Sequence, residues 1–341
     1  MFCTIKALIS TLLSCCVCFL LSTSTLLSAD LVADSKPTTA SDGVTVHKDV
    51  KKILFIGDSI TYAGHYVNYV EAYLRLNVPT QKFEFINVGL PSETVSGLSE
   101  EGHANGAFPR PVLFERLARL LNAIQPDLVF TNYGINDGIY MPYDDLRFEK
   151  YKVGMQSLHE ALQKENIPVI HITSPIYDDK KDANYANVVH TYADWLLSQK
   201  AAQQWQVLDA HWPMQRYLNT KREMHPEYFL AKDGIHPNKV GHSIIAITVL
   251  NNIQGLYQHS SHLQVNDEWL PMDKYFIQQK NGKDLLMLVT RKQALMKDAW
   301  LSHTKHLRPR MKQGLALSNA KDTEQTLNKL IQMLLDERSS D

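Results

Sequence analysis

The feature that most constrains the fold is an alternation of two apolar patterns, which begins at Lys51 and ends near Ile253. Short runs typical of strands lie at Ile53–Ile56, Phe83–Val88, Leu128–Asn132, Val169–Thr173 and Val207–Asp209. Longer segments with helical spacing lie at Tyr66–Leu76, Val112–Ile124, Phe148–Lys164, Asn184–Gln203 and Lys239–Ile253. This alternation predicts a parallel sheet covered by helices on both faces, with the carboxyl ends of the strands along one edge.

Composition narrows the class of protein. The chain has 341 residues, of which 44% are hydrophobic and 21% charged, and this is ordinary for a soluble globular protein. The formal net charge of -1 argues against a nucleic-acid-binding protein, which usually carries a basic excess.

The N-terminal segment has the pattern of a secretory signal. Lys6 is its only charge before Asp30, and Ala7–Leu21 is almost continuously apolar. We therefore expect a signal peptide at residues 1–29 and an exported, periplasmic or extracellular protein without a stable membrane span after cleavage. A signal anchor, or a lipoprotein modified at Cys15, is the alternative.

All four cysteines lie inside this segment, at Cys3, Cys15, Cys16 and Cys18. The cleaved chain would therefore contain no disulfide and no thiolate metal site. Its charge would be 34 basic minus 36 acidic residues, or -2, because only Lys6 is removed.

Residues 30–50 are rich in Ser, Thr, Asp and Lys and are predicted to be a linker. Residues 51–258 are then the main domain, and residues 259–341 form a helical C-terminal extension. Helical spacing at Lys283–Leu301 and Thr326–Leu335 supports this division. The sequence leaves open whether the extension packs on the domain or projects from it.

Four polar motifs follow predicted strands or precede the last helix of the domain. Gly57-Asp58-Ser59 ends the first strand, Gly89 follows the second, and Asn136 follows the third. The fourth motif, "KDGIHPN", contains Asp233 and His236. Because parallel strands end along one edge, all four motifs are expected to meet there.

These residue types suit acyl transfer. A serine hydroxyl becomes an effective nucleophile when an imidazole accepts its proton, and a carboxylate holds that imidazole in the required tautomer. Ser59, His236 and Asp233 are therefore the candidate catalytic residues. The tetrahedral intermediate also needs hydrogen-bond donors for its oxyanion. The N–H groups of Ser59 and Gly89 and the side-chain amide of Asn136 are the candidates.

The motifs "GDSIT", Gly89, "GIND" and "DGIHPN" resemble the four blocks of the SGNH/GDSL hydrolase family, in the family's order from Ile53 to Ile253. The resemblance implies a three-layer α/β/α sandwich of the flavodoxin-like type, with five parallel strands in the order 2-1-3-4-5. It also implies the same catalytic and oxyanion roles. One departure is Ser92, which stands where the family often has glycine in the Gly89 block.

Three further residues are possible substrate contacts. Asp58 and Asp137 each have the alternative role of satisfying nearby backbone donors, and Arg110 that of pairing with a surface carboxylate. The loop from Glu93 to Arg110 is long and polar, without the apolar face expected of a lipase lid.

We therefore predict an exported serine esterase that acts on O-acetyl or short-chain esters of carbohydrate, with no metal or organic cofactor. The alternatives are a lysophospholipase or thioesterase acting on lipid, an acyltransferase, and a non-catalytic binding module on the same fold. The sequence does not indicate an oligomeric state.

Overall fold

The computed structural model describes residues 44–45, 49–79, 82–254, 263–265, 268–269 and 271–339. The predicted signal peptide at 1–29 and most of the predicted linker at 30–50 lie outside the described residues.

Five strands form the central sheet. They are β1 (Lys52–Gly57), β2 (Glu84–Asn87), β3 (Leu128–Asn132), β4 (Val169–Ile172) and β5 (Gln206–Leu208). The strands pair in the order β2-β1-β3-β4-β5, and every pair is parallel. The predicted flavodoxin-like sheet is confirmed.

Seven helices accompany these strands. They are α1 (Ser59–Ala63), α2 (His65–Asn77), α3 (Leu117–Ile124), α4 (Asp145–Lys164), α5 (Ala183–Ala202), α6 (His211–Met224) and α7 (Lys239–Asn252). Short 3₁₀ turns occur at His103–Gly106 and Leu113–Glu115. Two-residue strands also pair Val44–Thr45 with Ile253–Gln254, and Gln264–Val265 with Glu268–Trp269.

The alternation of side chains along β1 builds two separate cores. Ile53 and Phe55 pack with α2, α6 and α7 on one face of the sheet. Leu54 and Ile56 pack with α3, α4 and α5 on the other face. Because successive side chains of a strand point to opposite faces, a continuous apolar run is what a sheet buried on both sides requires.

Helix α6 was not predicted from the sequence. It buries only His211, Met214 and Leu218, and its remaining residues are largely polar or exposed. Two buried apolar residues in a helix of fourteen make a weak periodic signal, so tertiary packing rather than local pattern determines this helix.

The C-terminal extension packs on the sheet domain. It contains α8 (Met272–Ile277), α9 (Gly282–Thr304) and α10 (Leu317–Ser339), and the chain from Ser41 onward forms one compact unit. Gln293 of α9 donates a 3.0 Å hydrogen bond to the main-chain oxygen of Phe85 in edge strand β2. Helix α9 therefore covers an edge that would otherwise expose unpaired backbone groups.

Within the residues described, no helix is both long and apolar enough to cross a membrane.

Candidate active site

The turn between β1 and α1 presents Ser59 at the carboxyl edge of the sheet. Only glycine fits at position 57, because there is no room for a side chain. A Cβ at this position would lie 2.1 Å from Oγ1 of Thr61 and 2.8 Å from the main-chain oxygen of Asn132. Asp58 caps α1, since its Oδ1 accepts a 2.9 Å hydrogen bond from the N–H of Ile60. Ser59 is then the first residue of the helix.

Ser59, His236 and Asp233 form a continuous hydrogen-bonded series. The Oγ of Ser59 lies 2.8 Å from Nε2 of His236, and Nδ1 of His236 lies 2.6 Å from Oδ2 of Asp233. Ser59 and His236 are 177 positions apart in the sequence, so folding brings the two ends of the domain's sequence together here. The His236 and Asp233 side chains are 49% and 53% exposed, so the site is open to solvent.

Asp233 also organises the backbone around His236. Its Oδ1 accepts hydrogen bonds from the N–H groups of Ile235 and His236, at 3.0 Å and 2.9 Å. Partial burial by itself would raise the pKa of Asp233, but these N–H groups and the imidazole of His236 outweigh burial and hold it below its ordinary value. The carboxylate therefore stays ionised and orients the imidazole.

Two of the three candidate oxyanion donors are available. Ser59 occupies the first position of α1, where a backbone N–H has no acceptor within the helix. The amide nitrogen of Asn136 donates one hydrogen to the main-chain oxygen of Glu93, at 3.2 Å, and carries a second hydrogen.

Gly89 is placed differently. Its single N–H donates a 2.9 Å hydrogen bond to Oδ1 of Asn87, so it becomes an oxyanion donor only if Asn87 moves. A side chain at Gly89 is excluded, because its Cβ would lie 2.3 Å from the nitrogen of Tyr62. Ser92, the departure noted in the sequence, has a φ of 69°, a conformation that glycine adopts without strain.

Asp58 and Asp137 are buried beside the site rather than exposed in it. Burial raises the pKa of Asp58 to about 7, even though the hydrogen bond from the N–H of Ile60 lowers it. The nearby charges of Asp137 and Glu93 act in the same direction as burial. Asp137 accepts hydrogen bonds from the N–H groups of Val95 and Ser96, at 2.9 Å and 2.8 Å, and burial raises its pKa to about 6. Both carboxyl groups thus organise backbone, which was the alternative role.

Arg110 makes a two-point ion pair with Glu100. Its Nε and Nη2 lie 2.5 Å and 2.7 Å from the two carboxylate oxygens, and its guanidinium lies 4.9 Å from the ring centre of Tyr140. The arginine is buried within the polar loop, so the structure places it as a support for that loop.

A buried ion pair that the sequence analysis missed anchors the start of this loop. Glu93 accepts hydrogen bonds from Nε and Nη2 of Arg116, at 2.6 Å and 2.7 Å, and from the hydroxyl of Tyr133, at 2.6 Å. Both charged side chains are fully buried. Glu93 also provides the main-chain oxygen that accepts from Asn136. Glu93 and Arg116 are 23 positions apart in the sequence, and no local pattern signals their pairing.

In the part of the chain that the structure describes, no three or more His, Cys, Asp or Glu side chains converge as ligands for a metal ion.

The family model described as the GDSL-like Lipase/Acylhydrolase family matches residues 55–244, which is 190 of the 341 residues. No curated protein gives a significant match to the chain.

Solved structures resemble a little more than three fifths of the chain. BT4096, a gut microbial diltiazem-metabolizing enzyme, is 17% identical with a TM-score of 0.50, over 62% of this chain and 48% of that one. The present chain thus spans about half the length of BT4096.

Two further solved structures are similar over almost their whole length. Axe2, an acetylxylan esterase from Geobacillus stearothermophilus, is 22% identical with a TM-score of 0.47, over 64% of this chain and 100% of that one. LAE5, an alpha/beta hydrolase enzyme from the metagenome of Lake Arreo, Spain, is 23% identical with a TM-score of 0.48, over 62% of this chain and 99% of that one. At identities this low, the likeness concerns the fold alone.

Proposed function

Because the chain belongs to the GDSL-like lipase/acylhydrolase family, we propose that it is a serine esterase that forms an acyl-enzyme on Ser59. The observation that carries the proposal is the hydrogen-bonded series from Ser59 through His236 to Asp233, with distances of 2.8 Å and 2.6 Å. A nucleophile, a base and an orienting acid in this arrangement are the groups that acyl transfer needs.

In the first half of the reaction, Oγ of Ser59 attacks the ester carbonyl carbon while Nε2 of His236 takes the hydroxyl proton. Asp233 accepts from Nδ1 and stabilises the imidazolium. The carbonyl oxygen gains the negative charge, and the Ser59 N–H and the second amide hydrogen of Asn136 are its donors. The intermediate then collapses, and the alcohol leaves with the proton from His236.

In the second half, a water molecule attacks the acyl carbon and gives its proton to His236. The acyl–Ser59 bond breaks, the acid is released, and His236 returns the proton to the serine oxygen. The exposed positions of His236 and Asp233 leave the site accessible to water.

We further propose that the substrate is an O-acetyl or short-chain ester of carbohydrate. The side chains of His236 and Asp233 are about half exposed, and this exposure favours a substrate with a polar alcohol group that stays in contact with solvent. The neighbouring loop is held by an ion pair between Arg110 and Glu100 and has a polar composition. A long acyl chain would instead need an apolar surface beside Ser59.

An ester panel tests this proposal. Purified protein would be assayed with p-nitrophenyl acetate, longer p-nitrophenyl esters, acetylated xylan or pectin, and lysophosphatidylcholine. We expect fastest hydrolysis of acetyl esters and a loss of about 10⁴-fold or more in turnover for Ser59→Ala. Ser198→Ala is the matched control, because Ser198 is exposed on α5 and bonds only within its own helix.

The results of this panel and of one added assay test the acyl-enzyme and decide between the alternative functions. Undiminished hydrolysis by Ser59→Ala would refute the acyl-enzyme, and preference for lysophosphatidylcholine would favour the lipid hydrolase. Absence of turnover on every ester would favour the non-catalytic binding module over the esterase. Adding sugar acceptors and measuring transfer product against free acid separates an acyltransferase from a hydrolase.

We propose export from the N-terminal pattern alone. Expression of the full chain in a bacterial host, followed by fractionation and N-terminal sequencing, should recover a shortened protein outside the cytoplasm. A protein that retains residues 1–29 in the cytoplasm would contradict the proposal.

A further inference from the structure

The side-chain amide of Asn136 is held from both ends. Its nitrogen donates to the main-chain oxygen of Glu93 at 3.2 Å, and its oxygen accepts a 2.8 Å hydrogen bond from the hydroxyl of Tyr140. Rotation of the amide by half a turn would set its oxygen against the oxygen of Glu93, and two acceptors would then face each other. The two bonds therefore define one orientation, in which the second amide hydrogen is left for another acceptor.

The backbone is strained at Tyr140 and at the residue before it. Ile139 and Tyr140 have φ values of 49° and 53°, in the left-handed region that favours glycine. For a β-branched residue such as Ile139 this conformation is a genuine outlier and is energetically unfavourable. Strain of this kind persists where the surrounding structure supports it, and such positions cluster at functional sites.

Neighbouring side chains fix the ring of Tyr140. The guanidinium of Arg110 lies 4.9 Å from its centre, and the ring of Tyr185 lies 4.9 Å away at a tilted angle. Tyr185 is itself fixed by a 2.6 Å hydrogen bond from its hydroxyl to the main-chain oxygen of Ile135. Burial raises the pKa of Tyr140, so its hydroxyl stays protonated and remains a donor.

We propose that Tyr140 is a positioning residue that acts through Asn136, by holding the free amide hydrogen toward the carbonyl oxygen of the substrate. The proposal rests on the proposed esterase function and adds to it a role for Tyr140. Arg110 and Tyr185 then contribute indirectly, because they hold the Tyr140 ring.

The physical basis is pre-organisation. A donor that already points at the developing oxyanion stabilises the transition state without reorganisation, whereas a freely rotating amide must first be ordered. Removal of the Tyr140 hydroxyl should thus reduce kcat and change KM little, because the oxyanion forms only during reaction.

A double-mutant cycle with p-nitrophenyl acetate tests this role. Tyr140→Phe keeps the ring and its contacts but removes the donor, and we expect kcat to fall about tenfold with KM changed less than about twofold. In the Asn136→Ala background, the further change Tyr140→Phe should leave kcat within about twofold. Tyr143→Phe is the matched control, because its exposed hydroxyl bonds only to Asp145.

Thermal melting of all variants accompanies the kinetics, so that a general loss of structure is recognised. An unchanged kcat for Tyr140→Phe, or the same tenfold loss with and without Asn136, would overturn the role of Tyr140. Failure of the wild-type chain to hydrolyse any ester would instead refute the proposed function and this inference with it. An active wild type with an unaffected Tyr140→Phe refutes the inference alone.

Discussion

The ammonium of Lys297 in α9 donates a 2.6 Å hydrogen bond to the main-chain oxygen of Tyr62 and lies 3.6 Å from the centre of the Tyr62 ring. Tyr62 belongs to α1, the short helix that begins with Ser59. A cation is favourable at the carboxyl end of a helix, where carbonyl groups lack intrahelical partners. The C-terminal extension thus contacts the same five-residue helix that presents the candidate nucleophile.

Lys297→Met should lower both stability and turnover. Methionine fills similar space but cannot donate to Tyr62, and a hydrogen bond from a charged group contributes about 1.5–3 kcal/mol. We expect a lower Tm and a several-fold smaller kcat with p-nitrophenyl acetate. The exposed Lys283, on the same helix, is the control as Lys283→Met. If kcat and Tm of Lys297→Met match those of the control, α9 does not support α1 in this way.

Asn136→Ala should reduce kcat by about 10²–10³, because it removes one of the two available oxyanion donors. Steady-state kinetics on acetyl esters would measure the change. A reduction confined to KM would indicate that Asn136 binds the ground state instead, and an unchanged kcat would remove it from the oxyanion role.

Asp58→Asn should make the stability of the protein less sensitive to a rise in pH from acid to neutral. Burial raises the pKa of Asp58 from 3.8 to about 7. A raised pKa in the folded state means that folding favours the protonated form of Asp58. The contribution of this group to the free energy of unfolding is therefore fully present below pH 3.8 and is lost as the pH rises through 7. Asparagine keeps an oxygen for the N–H of Ile60 but does not ionise.

We therefore compare the free energy of unfolding of Asp58→Asn with that of the wild type at each pH. The difference should rise in favour of the variant by as much as about 4 kcal/mol from acid to neutral pH, since each pKa unit corresponds to about 1.36 kcal/mol. Urea unfolding at a series of pH values would measure this. Parallel curves for the two proteins would show that Asp58 does not carry the predicted proton.

Lys292→Met should destabilise the attachment of the C-terminal extension. Lys292 is buried, and its ammonium lies 2.5 Å from Oε1 of Glu71, which also accepts from Gln293 and Arg75. Removing one partner of a buried ion pair costs about 3–5 kcal/mol, because the remaining charge is left in a poor solvent.

The surface pair of Lys152 with Glu149 is the matched control, and Lys152→Met should cost less than about 1 kcal/mol. Urea unfolding compares the two variants. Equal, small effects would mean that the buried pair does not hold the extension in place.

The carboxyl edge of the sheet shows how much of the structure can be predicted from local sequence patterns. The apolar runs, the helical spacing and the glycine-containing turns are local properties, and from them the five strands of a parallel sheet could be predicted. The order of the strands was implied by the family resemblance of the four motifs. Ser59, Asn136, Asp233 and His236 could be chosen because each follows a strand or precedes a helix. Their geometry agrees with that choice, while their catalytic roles stay predictions for the experiments above.

Other features depended on contacts between distant segments. The sequence alone determined the sandwich and the edge where polar residues gather, because periodicity and turn chemistry act over a few neighbouring residues. Only the tertiary structure decided which particular groups meet. Asn87 accepts a hydrogen bond from the N–H of Gly89, Glu100 pairs with Arg110, and Lys297 contacts Tyr62. Such pairings depend on which side chains meet after folding. Lys297 and Tyr62 are 235 positions apart, and no local pattern encodes their contact.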